Sequence, residues 1–352
     1  MKKILAMILA LLLVLSMGVA MADGEHFTKS YKLAEGAEAA TALSPIETFT
    51  FSTVTCTDVK HAAAGVTKDN APVPTIGTAA YETAGGATSA GGTKDVTITL
   101  PTYNSVGIYT YTFNEVDNKT AGVTYHDEDI TLVVTVQQNT EDLFEVVAVH
   151  CESPIQPVYI KDGKQVDADG NEITAIQKTD VFTNTYTAGQ LTVKKQVTGN
   201  LADRDKKFKI KVTFTAPEGK TVKENQIMYT VNGETIHATP GTAVELELSH
   251  NDTAVTFVNI PDGVTYTVVE DSYASDGYDA PQYQLGENDP STTSISDAIT
   301  GVEKDDVVVI NNKDVKVDTG ITLDSLPYIL VLALVAAGVI VMIARKRRAN
   351  EE

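Results

Sequence analysis

The sequence predicts an all-β protein made of β-sandwiches in tandem, and three observations point there. Short alternating runs rich in Thr, Val, Tyr and Phe recur through the whole middle of the chain. Gly, Pro, Asn and Asp turns separate them, and no helical periodicity intervenes. With 352 residues there is room for two such domains after both termini are set aside.

In order, the first half offers "ETFTFSTVTC", "DVTITLP", "GIYTYTFNEV", "DITLVVTVQQ", "LFEVVAVHC" and "DVFTNTY". The second offers "LTVKKQV", "KFKIKVTFTA", "QIMYTV", "AVELELS", "AVTFVNI", "VTYTVVED" and "DVVVINN". A boundary falls at "TAGQ", which divides the middle into a first domain, 23–187, and a second, 188–315. The glycine-rich "TAGGATSAGGT", residues 83–93, lacks the Gly-Lys-Ser/Thr ending of a phosphate loop and is expected to be a flexible loop.

The two ends read as address labels. Residues 1–22 open with Lys2 and Lys3, run apolar from Ile4 to Leu15 and close on Ala20-Met21-Ala22, the form of a secretory signal peptide. Near the other end, Ser325 to Ala344 carries no charge and is long enough to cross a bilayer, so a transmembrane span is expected over 326–344. Arg345, Lys346, Arg347 and Arg348 follow at once, which puts the bulk of the chain outside the cell.

Composition narrows the function. The formal charge is −20, and removing both ends with their net +3 takes it to −23. Such acidity, without clustered Lys and Arg, argues against a nucleic-acid partner. Two cysteines, Cys56 and Cys151, are candidates for one disulfide across the first domain, and no disulfide framework is expected. The six histidines show no pair at metal-ligand spacing, and "DADGNE" lacks the complete calcium-loop pattern, so no metal or other cofactor is expected. No nucleophile-elbow, zinc-protease or nucleotide motif occurs, so no turnover enzyme is expected.

Strand parity exposes an anomaly that occurs twice. In "LTVKKQV", Lys195 shares a face with Leu191, Val193 and Val197, where a charge is costly. Glu270 shares a face with Tyr266 and Val268, and Asn311 with Val307 and Val309. In the first half the same parity places Lys29 with Phe27, Glu115 with Tyr109, Tyr111 and Phe113, and Asn184 with Phe182. Each half thus carries an inward lysine near its start, an inward glutamate in its middle and an inward asparagine on its last strand. Burial pushes an amine toward its neutral, nucleophilic form and a carboxyl toward its protonated form. A neutral lysine can attack an asparagine carboxamide while the glutamate relays protons, giving an amide crosslink with loss of ammonia. The neighbours Lys194 and Asn312 face outward by the same parity.

Two resemblances follow from these strings. "VKVDTGITLDS", ahead of the apolar span and basic tail, resembles the C-terminal sorting signal of Gram-positive surface proteins, with Asp318 in the usual proline position. The segment 316–352 is read as that signal; the resemblance implies that a sortase cuts between Thr319 and Gly320. "LTVKKQVTGN", "NIPDGVTYTVVED", "INNKDVKVDTG", "FTKSY", "GIYTYTFNE" and "FTNTY" together resemble Gram-positive backbone (major) pilins of the streptococcal T-antigen type. The family implies two immunoglobulin-like domains, each with a Lys–Asn isopeptide bond: Lys29–Asn184 and Lys195–Asn311, with Glu115 and Glu270 as proton relays. It also implies a cell-wall pilus shaft polymerised head to tail through a surface lysine. Here that is Lys178, with Lys161 and Lys164 as alternatives. Sortase, further copies of the chain, peptidoglycan and surface ligands on a host are the partners this implies. A singly anchored adhesin or ancillary pilin with the same crosslinks is the alternative.

Overall fold

A computed structural model describes residues 25–37, 42–81, 87–88, 91–152, 159–161, 164–166, 180–224, 226–231, 233–315 and 326–349. The chain folds as two immunoglobulin-like β-sandwiches in tandem. The main strands of the first are β1 (His26–Leu33), β2 (Thr55–Lys60), β3 (Gly91–Thr99), β4 (Gly107–Phe113), β5 (Ile130–Gln138), β6 (Phe144–Glu152) and β7 (Val181–Tyr186). One sheet runs Val123–Thr124, β7, β1, β3, Thr75–Ile76, and the facing sheet runs β6, β5, β4, β2.

Inward aromatic side chains make the first core. Phe27 packs edge-on against Phe51 at 5.1 Å and Phe182 at 5.3 Å, and Tyr31 does the same against Phe49 at 5.1 Å. Period-two alternation is plain in β4 and β5, where every second residue is buried.

The second sandwich comprises β8 (Ala188–Thr198), β9 (Phe208–Thr215), β10 (Met228–Val231), β11 (Glu234–His237), β12 (Val244–Leu248), β13 (Val255–Pro261), β14 (Thr265–Glu270), β15 (Gln282–Leu285), β16 (Ile295–Ala298) and β17 (Lys304–Asn312). Its sheets run β11, β10, β13, β8, β17, β15 and β12, β9, β14, β16. The strands β11, β15 and β16 have no counterpart among the runs picked from sequence. Each is four residues long and half polar ("ETIH", "QYQL", "ISDA"), and their place at sheet edges removes the demand for alternation.

In each sandwich the first strand pairs in parallel with the last. Thr28 lies opposite Val181 and Leu33 opposite Tyr186; in the second sandwich Gln190 lies opposite Lys304 and Thr198 opposite Asn312. Only Thr187 separates β7 from β8, so one line of extended chain runs through both domains. The chain therefore enters at the outer pole of the first sandwich, beside His26, and leaves the second at the opposite pole, beside Asn312.

Buried polar groups lock the joint between the sandwiches. Gln226 Nε2 donates to the Tyr186 hydroxyl and to the Ala121 carbonyl, both at 3.0 Å. The Leu43 N–H donates to Asn259 Oδ1 at 3.0 Å, and Ala121 and Thr221 bridge backbone to backbone. Gln226 and Asn259 are fully buried, which a side-chain amide tolerates only when it is hydrogen-bonded.

Three sequence expectations meet the structure here. Cys56 and Cys151 do not pair: both are free and buried. They lie in one row of the β6-β5-β4-β2 sheet, Cys56 opposite Tyr111, Tyr111 opposite Leu132 and Leu132 opposite Cys151. Three ladder spacings separate them, about 14 Å, twice the reach of a disulfide. The glycine-rich stretch is partly strand, because Gly92 and Thr93 pair with Tyr31 and Ser30 of β1. Leu326–Ala349 form helix α1, where the apolar run predicts a span. Among the described residues no helix is long and apolar enough to cross a membrane; within α1 the side chains described without a break are those of 327–343.

The turn that ends β8 clasps the departing chain. Gly199 has φ +97°, and a Cβ there would sit 2.3 Å from the Lys313 carbonyl oxygen. Leu201 N–H donates to that same oxygen at 3.0 Å, and Val315 N–H donates to Asn200 Oδ1 at 3.0 Å. Gly199→Ala should therefore cost about 1–3 kcal/mol, from the left-handed backbone and the clash together. Denaturant unfolding of the second domain checks this; an unchanged midpoint would contradict it.

Candidate functional site

Strand parity and sheet register together assemble two buried clusters. In the first sandwich Lys29 lies opposite Phe182, two residues before Asn184 on the parallel strand β7. In the second, Lys195 lies opposite Val309, two residues before Asn311 on β17. The offset is the same in both, so lysine and asparagine are diagonal neighbours on the inner face. A glutamate reaches each pair from the facing sheet: Glu115, held by a bridge to Phe51 just beyond β4, and Glu270 at the end of β14.

The first cluster is a closed ring of contacts. Lys29 Nζ donates to Glu115 Oε2 at 2.6 Å and to Asn184 Oδ1 at 2.7 Å. Asn184 Nδ2 donates to Glu115 Oε1 at 2.5 Å, and the backbone N–H of His126 donates to Asn184 Oδ1 at 2.9 Å. Lys29 and Asn184 are wholly buried, with the Phe49 ring centre 5.1 Å from Nζ. The Tyr81 hydroxyl donates to the Lys29 carbonyl and fixes the strand behind it.

The second cluster holds the same three side chains more loosely. Lys195 Nζ makes a very short contact to Asn311 Oδ1 and donates to the Val309 carbonyl at 3.2 Å. It stands 2.8 Å from Glu270 Oε2, close enough for an ion pair but out of line for a hydrogen bond. Asn311 Nδ2 faces the Glu270 carboxyl without a well-aligned hydrogen bond. Phe208 closes the apolar side, its ring centre 4.4 Å from Nζ, and Tyr283 accepts the Glu270 N–H at 2.9 Å.

Burial governs the electrostatics of both. It lowers the Lys29 ammonium, against the opposing pull of Glu115, and brings Lys195 down to about 8. It raises the carboxyls of Glu115 and Glu270 although a lysine faces each. Each pair is thereby moved toward neutral amine and neutral acid. Lys194, one position along, is exposed, and Asn312 donates outward to Asp279 at 2.9 Å.

Several groups here were not singled out from sequence. Phe208 had a signal, since it shares inward parity with Ile210, Val212 and Phe214. His126 had none, because it acts through a backbone N–H that every residue but proline carries. Lys178, Thr319 and Gly320 lie outside the described residues, as does "DADGNE"; Lys161 and Lys164 fall in the hairpin Tyr159–Lys161/Lys164–Val166, described only in backbone. No group of three or more metal-ligating side chains occurs among the described residues.

Comparison with known proteins agrees with this architecture. The family described as "Spy0128-like isopeptide containing domain" matches residues 27–187, and a domain of unknown function, DUF7601, matches 189–313. A pilin of Streptococcus pyogenes serotype M1 is 27% identical over 261 residues, 70% of this chain and 70% of that protein. Among solved structures, the major pilin protein T3.2 of Streptococcus pyogenes has 21% identity and a TM-score of 0.50, over 83% of this chain and 99% of its own. The major pilin from Streptococcus pyogenes has 22% identity and a TM-score of 0.48, over 84% and 100%. The first sandwich thus matches the Spy0128-like isopeptide containing domain family, and the chain as a whole is similar to pilins of Streptococcus pyogenes.

Proposed function

We propose that this chain is a pilin, the shaft subunit of a sortase-assembled, covalently polymerised pilus, and that each domain, divided at 187/188, crosslinks itself through one Lys–Asn isopeptide bond. The observation that carries this reading is the recurrence: twice, a buried lysine and asparagine sit at the same diagonal offset with a buried glutamate against them. Neither enzyme nor cofactor is required. Neutral Nζ attacks the asparagine Cγ, the bond from Cγ to Nδ2 breaks, and ammonia leaves. The glutamate takes a proton from Nζ and returns one to Nδ2. Glu115 touches both nitrogens, one with each carboxyl oxygen, as that relay needs. Fixed proximity supplies the rate, since well-oriented intramolecular pairs reach effective molarities of about 10⁵–10⁸ M.

Polymerisation follows from where the chain ends lie. Val315, four residues before Thr319 in the sequence, lies at the pole where the second sandwich releases the chain. Val181, three residues after Lys178 in the sequence, lies at the outer pole of the first. A sortase that joins Thr319 of one copy to Lys178 of the next would therefore build a linear shaft, with the apolar segment and basic tail holding the precursor at the membrane until cleavage and peptidoglycan receiving the last subunit. Cell-wall extracts should contain a ladder of detergent-resistant species that Lys178→Arg abolishes. A single band would sink the shaft reading, and a ladder lost instead in Lys161→Arg or Lys164→Arg would move the linkage there.

Intact mass checks the crosslinks directly. The mature chain should lack the mass of two ammonia molecules; Lys195→Ala should restore one, while Lys194→Ala should restore none. Glu115→Gln and Glu270→Gln should each restore one as well, by removing the relay.

The pH dependence separates a consumed lysine from a free one. In Asn311→Ala the bond cannot form and Lys195 stays a titratable amine. Its folded pKa of about 8 lies below the ordinary 10.5, so between those values the unfolded chain binds more protons. Stability of that variant should rise with pH across this window. In the wild type the amide does not titrate and the rise should be missing; equal slopes in the two proteins would refute the bond at Lys195.

A further inference from the structure

We propose that the backbone N–H of His126 is an oxyanion donor for the first crosslink, and that the second crosslink forms without one. This deepens the isopeptide reading and rests on it. Attack by Lys29 Nζ on Asn184 Cγ converts the carbonyl oxygen Oδ1 into a tetrahedral oxyanion before ammonia departs. That oxygen already accepts the His126 N–H at 2.9 Å, a main-chain donor that also faces the Glu115 carboxyl and stays put while the lysine changes from hydrogen-bond donor to covalent partner. The remaining polar atoms are assigned by the same network: Nδ2, the leaving nitrogen, donates to Glu115 Oε1, and Nζ donates to Oε2.

The fold builds this donor in. The short strand Val123–Thr124 pairs antiparallel with the end of β7, Val123 opposite Tyr186 and Thr124 opposite Thr185. One residue past the position that aligns with Asn184, the His126 N–H reaches that asparagine's side-chain oxygen, and the His126 ring stands edge-on to Phe182 at 5.1 Å. In the second sandwich the equivalent place beside the last strand is taken by β15, with Gln282 opposite Ile310. Among the described residues Asn311 Oδ1 accepts only from Lys195, the nucleophile itself. Attack at Asn311 would thus develop its negative charge with no main-chain donor on Oδ1 among the described residues.

Removing one preorganised oxyanion donor typically slows acyl-transfer chemistry about 10²–10³-fold. The test is a time course of crosslink formation in the full mature chain made by cell-free translation, with peptide masses reporting Lys29–Asn184 and Lys195–Asn311 separately. His126→Ala keeps the N–H and loses the ring; placing lactic acid at position 126 has the same side chain but replaces the N–H by an ester oxygen. The ester chain should form Lys29–Asn184 about 10²-fold more slowly than His126→Ala, with Lys195–Asn311 unchanged in both. Equal rates at Lys29–Asn184 would overturn the donor role while leaving the crosslink reading intact. Wild-type chain that never loses ammonia would sink that reading and this one with it. Should the ester chain fail to fold, the wild type still decides: Lys29–Asn184 must form before Lys195–Asn311, and the reverse order refutes the proposal.

Discussion

The parallel pairing of first strand with last is the constraint on which both sandwiches depend. It sets lysine and asparagine two residues out of register on one inner face, at Lys29 and Asn184 and again at Lys195 and Asn311. An antiparallel pairing of the same strands would send the two chain ends to one pole, and the molecule could not serve as a link in a line. The same pairing also creates the energetic problem. A lysine and a carboxylate taken out of water lose several kcal/mol of hydration each, and their attraction seldom repays it in full. Conversion of the amine to an amide would end that cost, since the product carries no charge and the acid beside it can stay neutral. Conversion would also tie the ends of a long loop, which by analogy with a disulfide contributes roughly 4–5 kcal/mol through the unfolded chain.

Much of this was legible in the residues because strand periodicity is strict. Parity alone separates Lys195 from Lys194 and Asn311 from Asn312, since a shift of one residue turns a side chain to the other face. It works even for Glu115, two residues beyond the end of β4, because the bridge to Phe51 keeps the chain extended there. What parity does not reveal is strand order. Cys56 and Cys151 are both buried, yet two strands lie between theirs, and only the sheet topology shows it. The short edge strands were invisible for a related reason: pairing on one side only imposes little on side-chain type. Gln226 and Asn259 sit in runs read as strands, and their role at the joint shows only when the second domain is placed against the first.

Two clusters with the same residues are therefore not the same site. In the first, each polar atom of Asn184 has a partner, and the glutamate bridges nucleophile and leaving group. In the second, Nδ2 of Asn311 and both Glu270 oxygens lack aligned hydrogen bonds. Phe208 lies nearer its lysine than Phe49 does to Lys29, 4.4 Å against 5.1 Å, and a ring face at that distance favours the ammonium. Loss of water on burial outweighs it and lowers the Lys195 amine. The two sites thus share the burial that favours the neutral amine and differ in the hydrogen-bond ring that favours the transition state.

The straight run through Thr187 also decides which bond would carry load in a shaft joined as proposed. Tension entering near Lys178 passes along β7, through Thr187 and down β8 to Lys195. There an amide to Asn311 offers a covalent route to β17 and out past Val315, so residues 196–310 are bypassed. Most of the first domain precedes that point of entry and would hang beside the line, anchored there by the proposed Lys29–Asn184 bond. Buried amides at the joint, Gln226 to Tyr186 and Leu43 to Asn259, keep the two domains aligned on that line. A crosslink on the load path must exist before the fibre is stretched, whereas one beside it guards chiefly against unfolding. The slower-looking site, without a main-chain donor, is the one on the path, so its completion before assembly is the step on which the strength of the fibre would turn.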